Sequence, residues 1–325
     1  MKRILSIVVA LVATITVGAQ NIAVVSPSNT TKIYQTLDEA ITNAEKGSII
    51  YLPGGGFTVT DNAKIDKKLT IMGVSHRGDT DNVDGASIIS GNLNFVSGSS
   101  HSSVIGVFVS GNVSLTDSIA QFTMRHCNVN SIQVKSSKSG GMIINQCYLR
   151  GLSSFGNCNV RLENNIMHSV REINAGVINY NIITSNSAWK SGYAGNYAMY
   201  SVASTTITNN FFLSPASIHT GDNCFKSHNC IGTGSWGDEP VVLPEKTDWT
   251  AVFKAHKGVT IASDYHLNDT WVKSKEPDLT GIGIYGGSGF SDEALAPIPR
   301  IVSKKVAEQT DGSGKLQIEV TVKAQ

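Results

Sequence analysis

The middle of the chain repeats a short motif in which one small polar residue or cysteine precedes large apolar residues. The motif occurs six times, with successive spacings of 20, 18, 16, 29 and 19 residues. Aligned on the small residue, the motifs form one column: Cys127, Cys147, Asn165, Asn181, Asn210 and Asn229. Irregular spacing of this size is typical of stacked coils that are joined by loops of variable length.

A stack of coils explains why asparagine is tolerated beside apolar residues. Equivalent residues of neighbouring coils lie about 4.8 Å apart, so a buried Asn can use both its amide donor and its amide acceptor along the stack. Short apolar runs such as residues 48–52 and 69–73 alternate with Gly, Asn and Ser, and the chain holds 31 glycines. This pattern predicts many short strands and turns, and therefore an all-β solenoid.

The N-terminal region predicts a processing signal followed by one helix. Residues 1–19 combine Lys2 and Arg3 with an apolar run and small residues at the end, as in a signal peptide. The apolar run is short for a membrane anchor, so we expect a bacterial protein that is secreted or periplasmic. Residues 36–44 then begin with a capping box, Thr36 to Glu39, and end before Gly47.

The sequence resembles the pectate-lyase-like parallel β-helix proteins, and in particular secreted, uncharacterised members from Bacteroidetes. The residues that carry the resemblance are segments 34–41, 50–55 and 278–287 together with the Asn-containing coils, and it covers residues 30–290. It implies a right-handed parallel β-helix solenoid whose N-terminal helix covers the open end. The pectate-lyase signatures Trp-x-Asp-His and Arg-x-Pro-x-x-Arg are absent, so the resemblance implies fold more than activity.

The C-terminal region predicts a separate β-hairpin. Residues 316–322 alternate apolar and polar side chains, which is typical of a half-buried strand, and residues 301–306 are its expected partner. We therefore expect a β-helix domain over residues 20–296 and a hairpin or tail over residues 297–325. Of the five cysteines, Cys224 and Cys230 are close enough in sequence to pair, whereas Cys127 and Cys147 are expected to be buried thiols.

The charged residues narrow the chemistry. Between residues 85 and 237 the acidic residues are four and scattered, which disfavours a hydrolase with paired carboxylates. The same span holds eight Lys and Arg, which would suit an acidic polysaccharide or would be ordinary solvated charges. The net charge of +1 gives no reason to expect a nucleic-acid partner. Residues 79–84 lack the EF-hand pattern and predict an acidic turn, so no metal or cofactor is expected.

A second column lies three residues after the first. It contains Asn130, Arg150, His168 and Thr184. If the register holds, Arg150 and His168 face the same way on neighbouring coils, where the pair could serve as the base and the charge neutraliser of a β-elimination. Two further polar or basic residues of the coils, Arg125 and Asn130, are expected to bind substrate. Exposed aromatic rings in two loop insertions are expected to do the same: Trp189, Tyr193, Tyr197 and Trp236. The alternative for these aromatics is that they anchor the loops to the solenoid wall.

The sequence thus predicts a monomeric, secreted solenoid without a membrane span that binds an acidic polysaccharide and is lyase-like if it is an enzyme. Two alternatives stay open: a non-catalytic adhesin or structural surface protein, and a glycoside hydrolase whose carboxylates come from the loops.

Overall fold

A computed structural model of the 325-residue chain gives the fold. It describes residues 21–60, 63–77, 85–154, 158–184, 197–213, 217–231, 241–242, 247–255, 263–275, 279–291, 300–310 and 312–323. The described part contains a parallel β-solenoid of about eight turns, which confirms the predicted fold class.

Two long sheets form the wall of the solenoid. The eleven-stranded sheet contains β1 (Ile22–Val25), β2 (Thr31–Tyr34), β3 (Ile49–Leu52), β6 (Thr70–Gly73), β9 (Ser103–Ile105), β11 (Thr123–Arg125), β13 (Met142–Asn145), β15 (Val160–Glu163), β17 (Val177–Asn179), β20 (Thr206–Thr208) and β23 (Phe225–Ser227). Its pairs are parallel except those that β1 makes with β2 and β3.

The fourteen-stranded sheet is entirely parallel and bends along its length. It contains β4 (Gly55–Thr58), β5 (Lys64–Ile65), β7 (Ser87–Ser90), β8 (Leu93–Phe95), β10 (Phe108–Leu115), β12 (Asn128–Val134), β14 (Tyr148–Ser154), β16 (Ile166–Arg171), β18 (Ile182–Ile183), β19 (Tyr197–Val202), β21 (Phe211–Phe212), β22 (Ser217–Thr220), β24 (Cys230–Ile231) and β25 (Val241–Val242). Some coils cross the bend as one long strand, such as β14, and others as two short ones, such as β7 and β8.

The predicted Cys and Asn column is confirmed as a buried ladder inside the solenoid. Asn181 donates from Nδ2 to the carbonyl oxygens of Leu162 and Asn179, at 2.9 and 3.0 Å. Its Oδ1 accepts from the backbone N–H of Asn165 at 3.0 Å. Asn210 and Asn229 repeat the same pattern one coil further along each time. Every amide group is therefore satisfied in the interior, as burial requires.

Cysteine fits the same column because its thiol reaches the same kinds of acceptor. Cys127 Sγ donates to the carbonyl oxygen of Val104 on the preceding coil at 3.5 Å and to that of Arg125 on its own coil at 3.1 Å. Asn165 then accepts from the backbone N–H of Cys147 at 2.9 Å, which joins the two halves of the column.

A sharp corner precedes every residue of the ladder. The corner residues all have φ between 50° and 57°, in the left-handed region; they are His126, Gln146, Asn164, Tyr180, Asn209 and His228. This conformation turns the chain from one sheet to the other. The backbone N–H of each of the first five corner residues donates to a carbonyl oxygen of the next coil, as from Gln146 to Glu163 at 3.2 Å. The left-handed conformation is unfavourable for most residues, so the stack must hold it in place.

The predicted capping helix is α1 (Leu37–Asn43). Thr36 is its N-cap, and Thr36 Oγ1 accepts from the backbone N–H of Glu39 at 3.2 Å. Leu37, Ala40 and Ile41 are buried in the same apolar cluster as the solenoid interior. The helix therefore covers the apolar end of the stack, as the resemblance implied.

A C-terminal segment packs against the outside of the fourteen-stranded sheet. It contains α2 (Trp249–Val252), β26 (Phe253–Ala255), β27 (Asp264–Leu267) and α3 (Asp269–Lys273), followed by turns over residues 279–291. The outward side chain of Phe211 lies among its rings, with centroids 5.3 Å from Phe253 and 6.1 Å from Trp249. Trp249 thus anchors this segment to the solenoid wall.

Asn164 fastens the turns of this segment to the solenoid corner. Its Nδ2 donates to the carbonyl oxygens of Ile284 and Gly286 at 2.8 and 2.7 Å. Its Oδ1 accepts from the hydroxyl of Ser288 at 2.9 Å. One corner side chain therefore makes three hydrogen bonds to consecutive turns that lie about 120 residues away in sequence.

Asn164→Gly is expected to release these turns without straining the corner, because glycine adopts the same positive φ freely. Three lost hydrogen bonds, at about 1 kcal/mol each, should lower the hydrogen-exchange protection of residues 279–291 by roughly a hundredfold. Mass spectrometry of the exchanged peptides measures this. Gln121→Gly is the matched control, since Gln121 has φ 55° at a different corner. Unchanged protection in Asn164→Gly would show that the apolar contacts alone hold the segment.

The predicted C-terminal hairpin is present, but its apolar face is not half-buried. β28 (Arg300–Thr310) pairs with β29 (Leu316–Lys323) in antiparallel register. Leu316, Ile318 and Val320 are 46%, 57% and 46% exposed, so the prediction of a half-buried strand is wrong. A two-stranded sheet has no second layer of its own to cover the apolar face. The predicted boundary at residue 297 lies outside the described residues.

The proposed pairing of Cys224 with Cys230 is also wrong, because both are free thiols. Cys224 packs against the interior cluster, and its Sγ donates to the carbonyl oxygen of Val202 at 3.3 Å. Cys230 belongs instead to the outer cluster, where burial raises the pKa of its thiol. Their closeness in sequence fails to bring them together because the intervening corner turns the chain from one sheet to the other.

Candidate functional site

The predicted column of Asn130, Arg150, His168 and Thr184 is a row of neighbours on the outside of the fourteen-stranded sheet. Val129 pairs with Leu149 and Leu149 with Met167, and the register resumes on the far side of the column. Arg150 therefore lies between Asn130 and His168 on adjacent coils. The backbone N–H of Thr184 donates to the carbonyl oxygen of Met167 at 2.8 Å, which places Thr184 in the next coil along.

The row lies where the fourteen-stranded sheet bends. In β10 the bend holds two residues, Ser110 and Gly111, opposite the single residue Asn130 of β12. A Cβ atom at Gly111 would lie 2.3 Å from the carbonyl oxygen of Gly91, so only glycine permits this close approach of the coils.

Amide side chains extend the row toward the N-terminal end. Asn92 Oδ1 accepts from the backbone N–H of Asn112 at 2.8 Å. Asn112 Oδ1 in turn accepts from Nδ2 of Asn130 at 3.0 Å. This outer ladder fixes the Asn130 amide beside Arg150, so the predicted binding residue Asn130 and the predicted catalytic residue Arg150 do lie together.

His168 is nearly enclosed, whereas Arg150 is exposed. His168 retains 9% of its surface, and its ring meets that of Tyr148 edge to face, with centroids 6.3 Å apart. Burial, and secondly the positive charge of Arg150, lowers the pKa of His168 below its ordinary value of 6.5. The imidazole is therefore neutral at pH 7 and able to accept a proton.

Tyr148 is a residue that the sequence analysis did not single out as functional. It lies two residues before Arg150 on β14 and touches both His168 and the outer apolar cluster. Burial raises the pKa of Tyr148 above its ordinary value of 10, although the charge of Arg150 opposes part of the rise. The phenol is therefore protonated at pH 7. The signal in the sequence was the alternation of Tyr148 with the buried Leu149, which places Tyr148 on the same face as Arg150.

A buried hydroxyl adjoins the imidazole. Thr184 is 5% exposed, and within the described residues its Oγ1 has no hydrogen-bond partner. A polar group in that state costs free energy unless something binds it. Thr184 is also the last described residue before residue 197.

Tyr197 returns the chain to the solenoid at the same place. β16 pairs with β18 up to Met167 and with β19 from Val170 onward, so these two strands lie on the two sides of His168. The Tyr197 ring lies 5.0 Å from that of Tyr200 and is half-buried. The other predicted aromatic binding residues, Trp189, Tyr193 and Trp236, lie outside the described residues.

Arg125 does not join this row. It ends β11 of the eleven-stranded sheet, before the corner, whereas Arg150 lies beyond the corner on the fourteen-stranded sheet. Arg161 is on the same sheet as Arg125 and is paired with Glu163 at 2.7 Å. The basic residues of the middle coils are thus divided between two faces, so they do not make one continuous groove.

Carboxylates are not members of the row. Among the described acidic residues of the middle coils, Glu163 pairs with Arg161 and Asp117 accepts from the backbone N–H of Ser97 at 2.8 Å. Within the described residues, no three His, Cys, Asp or Glu side chains cluster in a way that could hold a metal ion. The predicted acidic turn at residues 79–84 lies outside the described residues. The row itself combines one cation, one neutral base, one amide and one hydroxyl group, and the Tyr148 phenol lies beside it.

Comparison of the chain with protein-family models, with curated proteins and with solved structures finds no match in any of the three. In the described part of the chain, no helix has the length and apolar character that crossing a bilayer requires. The assignment of a function therefore depends on the geometry of the row.

Proposed function

We propose that this chain is a secreted β-solenoid of the pectate-lyase-like type that binds an acidic polysaccharide and cleaves it by β-elimination. The observation that carries the proposal is the position of a neutral, enclosed imidazole, His168, directly opposite an exposed guanidinium, Arg150, on adjacent coils. β-Elimination needs a base and a cation to neutralise a carboxylate, and it needs no paired carboxylates.

In the proposed reaction each group has one role. Arg150 binds the carboxylate of a uronate residue and stabilises the charge that develops when the adjacent carbon loses its proton. His168 accepts that proton. The released electron pair forms a carbon–carbon double bond as the bond from the neighbouring carbon to the glycosidic oxygen breaks. Tyr148 donates its phenolic proton to the departing oxygen, and proton exchange with solvent restores both side chains. One polymer chain becomes two, and no water is consumed.

The test is incubation of the chain, lacking residues 1–19, with a panel of uronate-containing polysaccharides. Each cleavage event creates a carbon–carbon double bond conjugated to the carboxylate, which absorbs in the ultraviolet. We expect absorbance to rise with at least one polymer of the panel and not with a neutral polysaccharide. Binding to an acidic polymer without any new absorbance would refute the enzymatic part of the proposal.

That second outcome would correspond to the non-catalytic alternative, a surface protein that binds glycans. One observation favours it: His168 is only 9% exposed, so a substrate must reach the imidazole through a narrow opening. Binding measured on the same polymers separates this alternative from a protein without affinity for glycans.

The pH dependence of cleavage follows from the lowered pKa of His168. The imidazole is the active base when neutral, so kcat/KM should be constant near pH 7 and should fall as pH drops through the folded-state pKa, which lies below 6.5. The same shift destabilises the fold in acid: the unfolded chain binds the proton more tightly, so stability declines as pH falls below about 6.5. Initial rates measured from pH 4 to 8 give the acidic limb of the pH profile of kcat/KM. A limb centred above 6.5 would contradict the role of His168.

A further inference from the structure

A cavity of about 430 Å³ lies within the C-terminal segment. Its apolar lining comes from Leu267 at the end of β27, Val272 on α3 and Ile282 in the following turns. Val272 and Ile282 are 6% and 5% exposed, so they form a fixed floor. A volume of this size lies in the range that small-molecule sites occupy.

An oriented imidazole forms one wall of the cavity. His266 Nδ1 lies 2.7 Å from Asp264 Oδ1, which also accepts from the backbone N–H of His266 at 2.8 Å. The His266 ring is stacked on that of Tyr285, with centroids 3.6 Å apart and planes at 15°. Burial opposes ionisation of Asp264, but the hydrogen bonds from His266 outweigh it and lower the pKa of the carboxyl. The ionised carboxylate and the tyrosine ring therefore hold the imidazole in one orientation.

The charged groups on the lining do not cancel. Lys254 and Lys273 contribute two ammonium groups, and Asp269 contributes one carboxylate. Counted without His266, two ammonium groups and one carboxylate leave the lining with one positive charge in excess. A complementary ligand has one negative charge, hydroxyl groups that can pair with ammonium and carboxylate groups, and an apolar face to cover Val272 and Ile282.

We propose that this cavity binds a single acidic pyranose, a uronate residue whose carboxylate pairs with Lys254 and Lys273. The cavity shares no residue with the row of Arg150 and His168, so this inference does not depend on the proposed lyase activity. It assigns the C-terminal segment a second glycan contact, at which the end of a chain or a released sugar is held.

The test is isothermal titration of the chain, lacking residues 1–19, with D-galacturonate, D-glucuronate and neutral D-galactose. We expect saturable binding of at least one uronate and affinity for galactose at least tenfold weaker. Lys254→Gln and Lys273→Gln should each weaken uronate binding by about tenfold, as expected for loss of a hydrogen bond to a charged group. Lys275→Gln is the matched control, because Lys275 lies over the Trp271 ring at 4.9 Å and does not line the cavity.

Three results would overturn the proposal: no saturable uronate binding, equal binding of galactose, or losses that are the same in Lys275→Gln as in the two cavity variants. Thermal unfolding of each variant shows that the segment stays folded. Arg150→Ala and His168→Gln should leave uronate binding unchanged. This result would separate the cavity from the proposed active site, whether or not the protein cleaves polymer.

Discussion

His168→Ala is expected to lower the rate of polysaccharide cleavage by about a thousandfold, which is the contribution of a positioned general base. The side chain accepts the proton in the step that makes the double bond, and within the row no carboxylate can replace it. The measurement is the initial rise in ultraviolet absorbance at saturating polymer. Because the effect falls on the chemical step, kcat should drop while the affinity for polymer changes little.

Two further variants make this result specific. His168→Gln keeps a polar side chain of similar length but removes the base, so it should be as inactive as His168→Ala. Lys135→Ala removes an exposed cation that directly follows β12, outside the row, and should leave the rate unchanged. A His168→Gln variant with more than about a tenth of the original rate would contradict general-base catalysis, since that contribution is normally a hundredfold or more.

Asn181→Ala is expected to destabilise the solenoid by at least about 3 kcal/mol, because it strips partners from three buried groups. These are the carbonyl oxygens of Leu162 and Asn179, and the backbone N–H of Asn165. The bonds to Leu162 and Asn165 are buried, where water does not replace them, and the bond to Asn179 is partly buried. Urea unfolding followed by circular dichroism measures the change in the free energy of unfolding.

Asn159→Ala is the matched control for the ladder. Asn159 is exposed, so the same substitution should change stability by less than about 0.5 kcal/mol. A loss below about 1 kcal/mol in Asn181→Ala would show that the carbonyl groups find other partners, and that the ladder is not a principal source of stability.

The interior of the protein was predictable from sequence for a physical reason. A buried amide or thiol must meet fixed partners on the adjacent coils, so only Asn and Cys recur in the column from Cys127 to Asn229. The spacing between them gives the number of residues in each coil. The ladder then fixes the register, and the register correctly placed Arg150 beside His168. The capping helix was predictable because Thr36 and the apolar positions that follow are local signals.

The outer surface was less predictable, because what covers an outward side chain is decided by segments far away in sequence. Phe211 is outward on its strand yet fully buried, since α2 and β26 return over it. Tyr148 gains its place beside His168 from the neighbouring coil, which local alternation does not reveal. The apolar alternation of β29 predicted burial, but alternation gives only a face and not the layer that would cover it.

The asparagine ladder also has a consequence for how long the solenoid can be. Each of its hydrogen bonds reaches only the adjacent coil, so no bond specifies the total number of coils between Asn165 and Asn229. Insertion or deletion of a whole coil would leave the remaining bonds intact and would change the length of the wall by about 4.8 Å. The architecture is thus extensible, and the length of this wall can change by whole coils without redesign of the core.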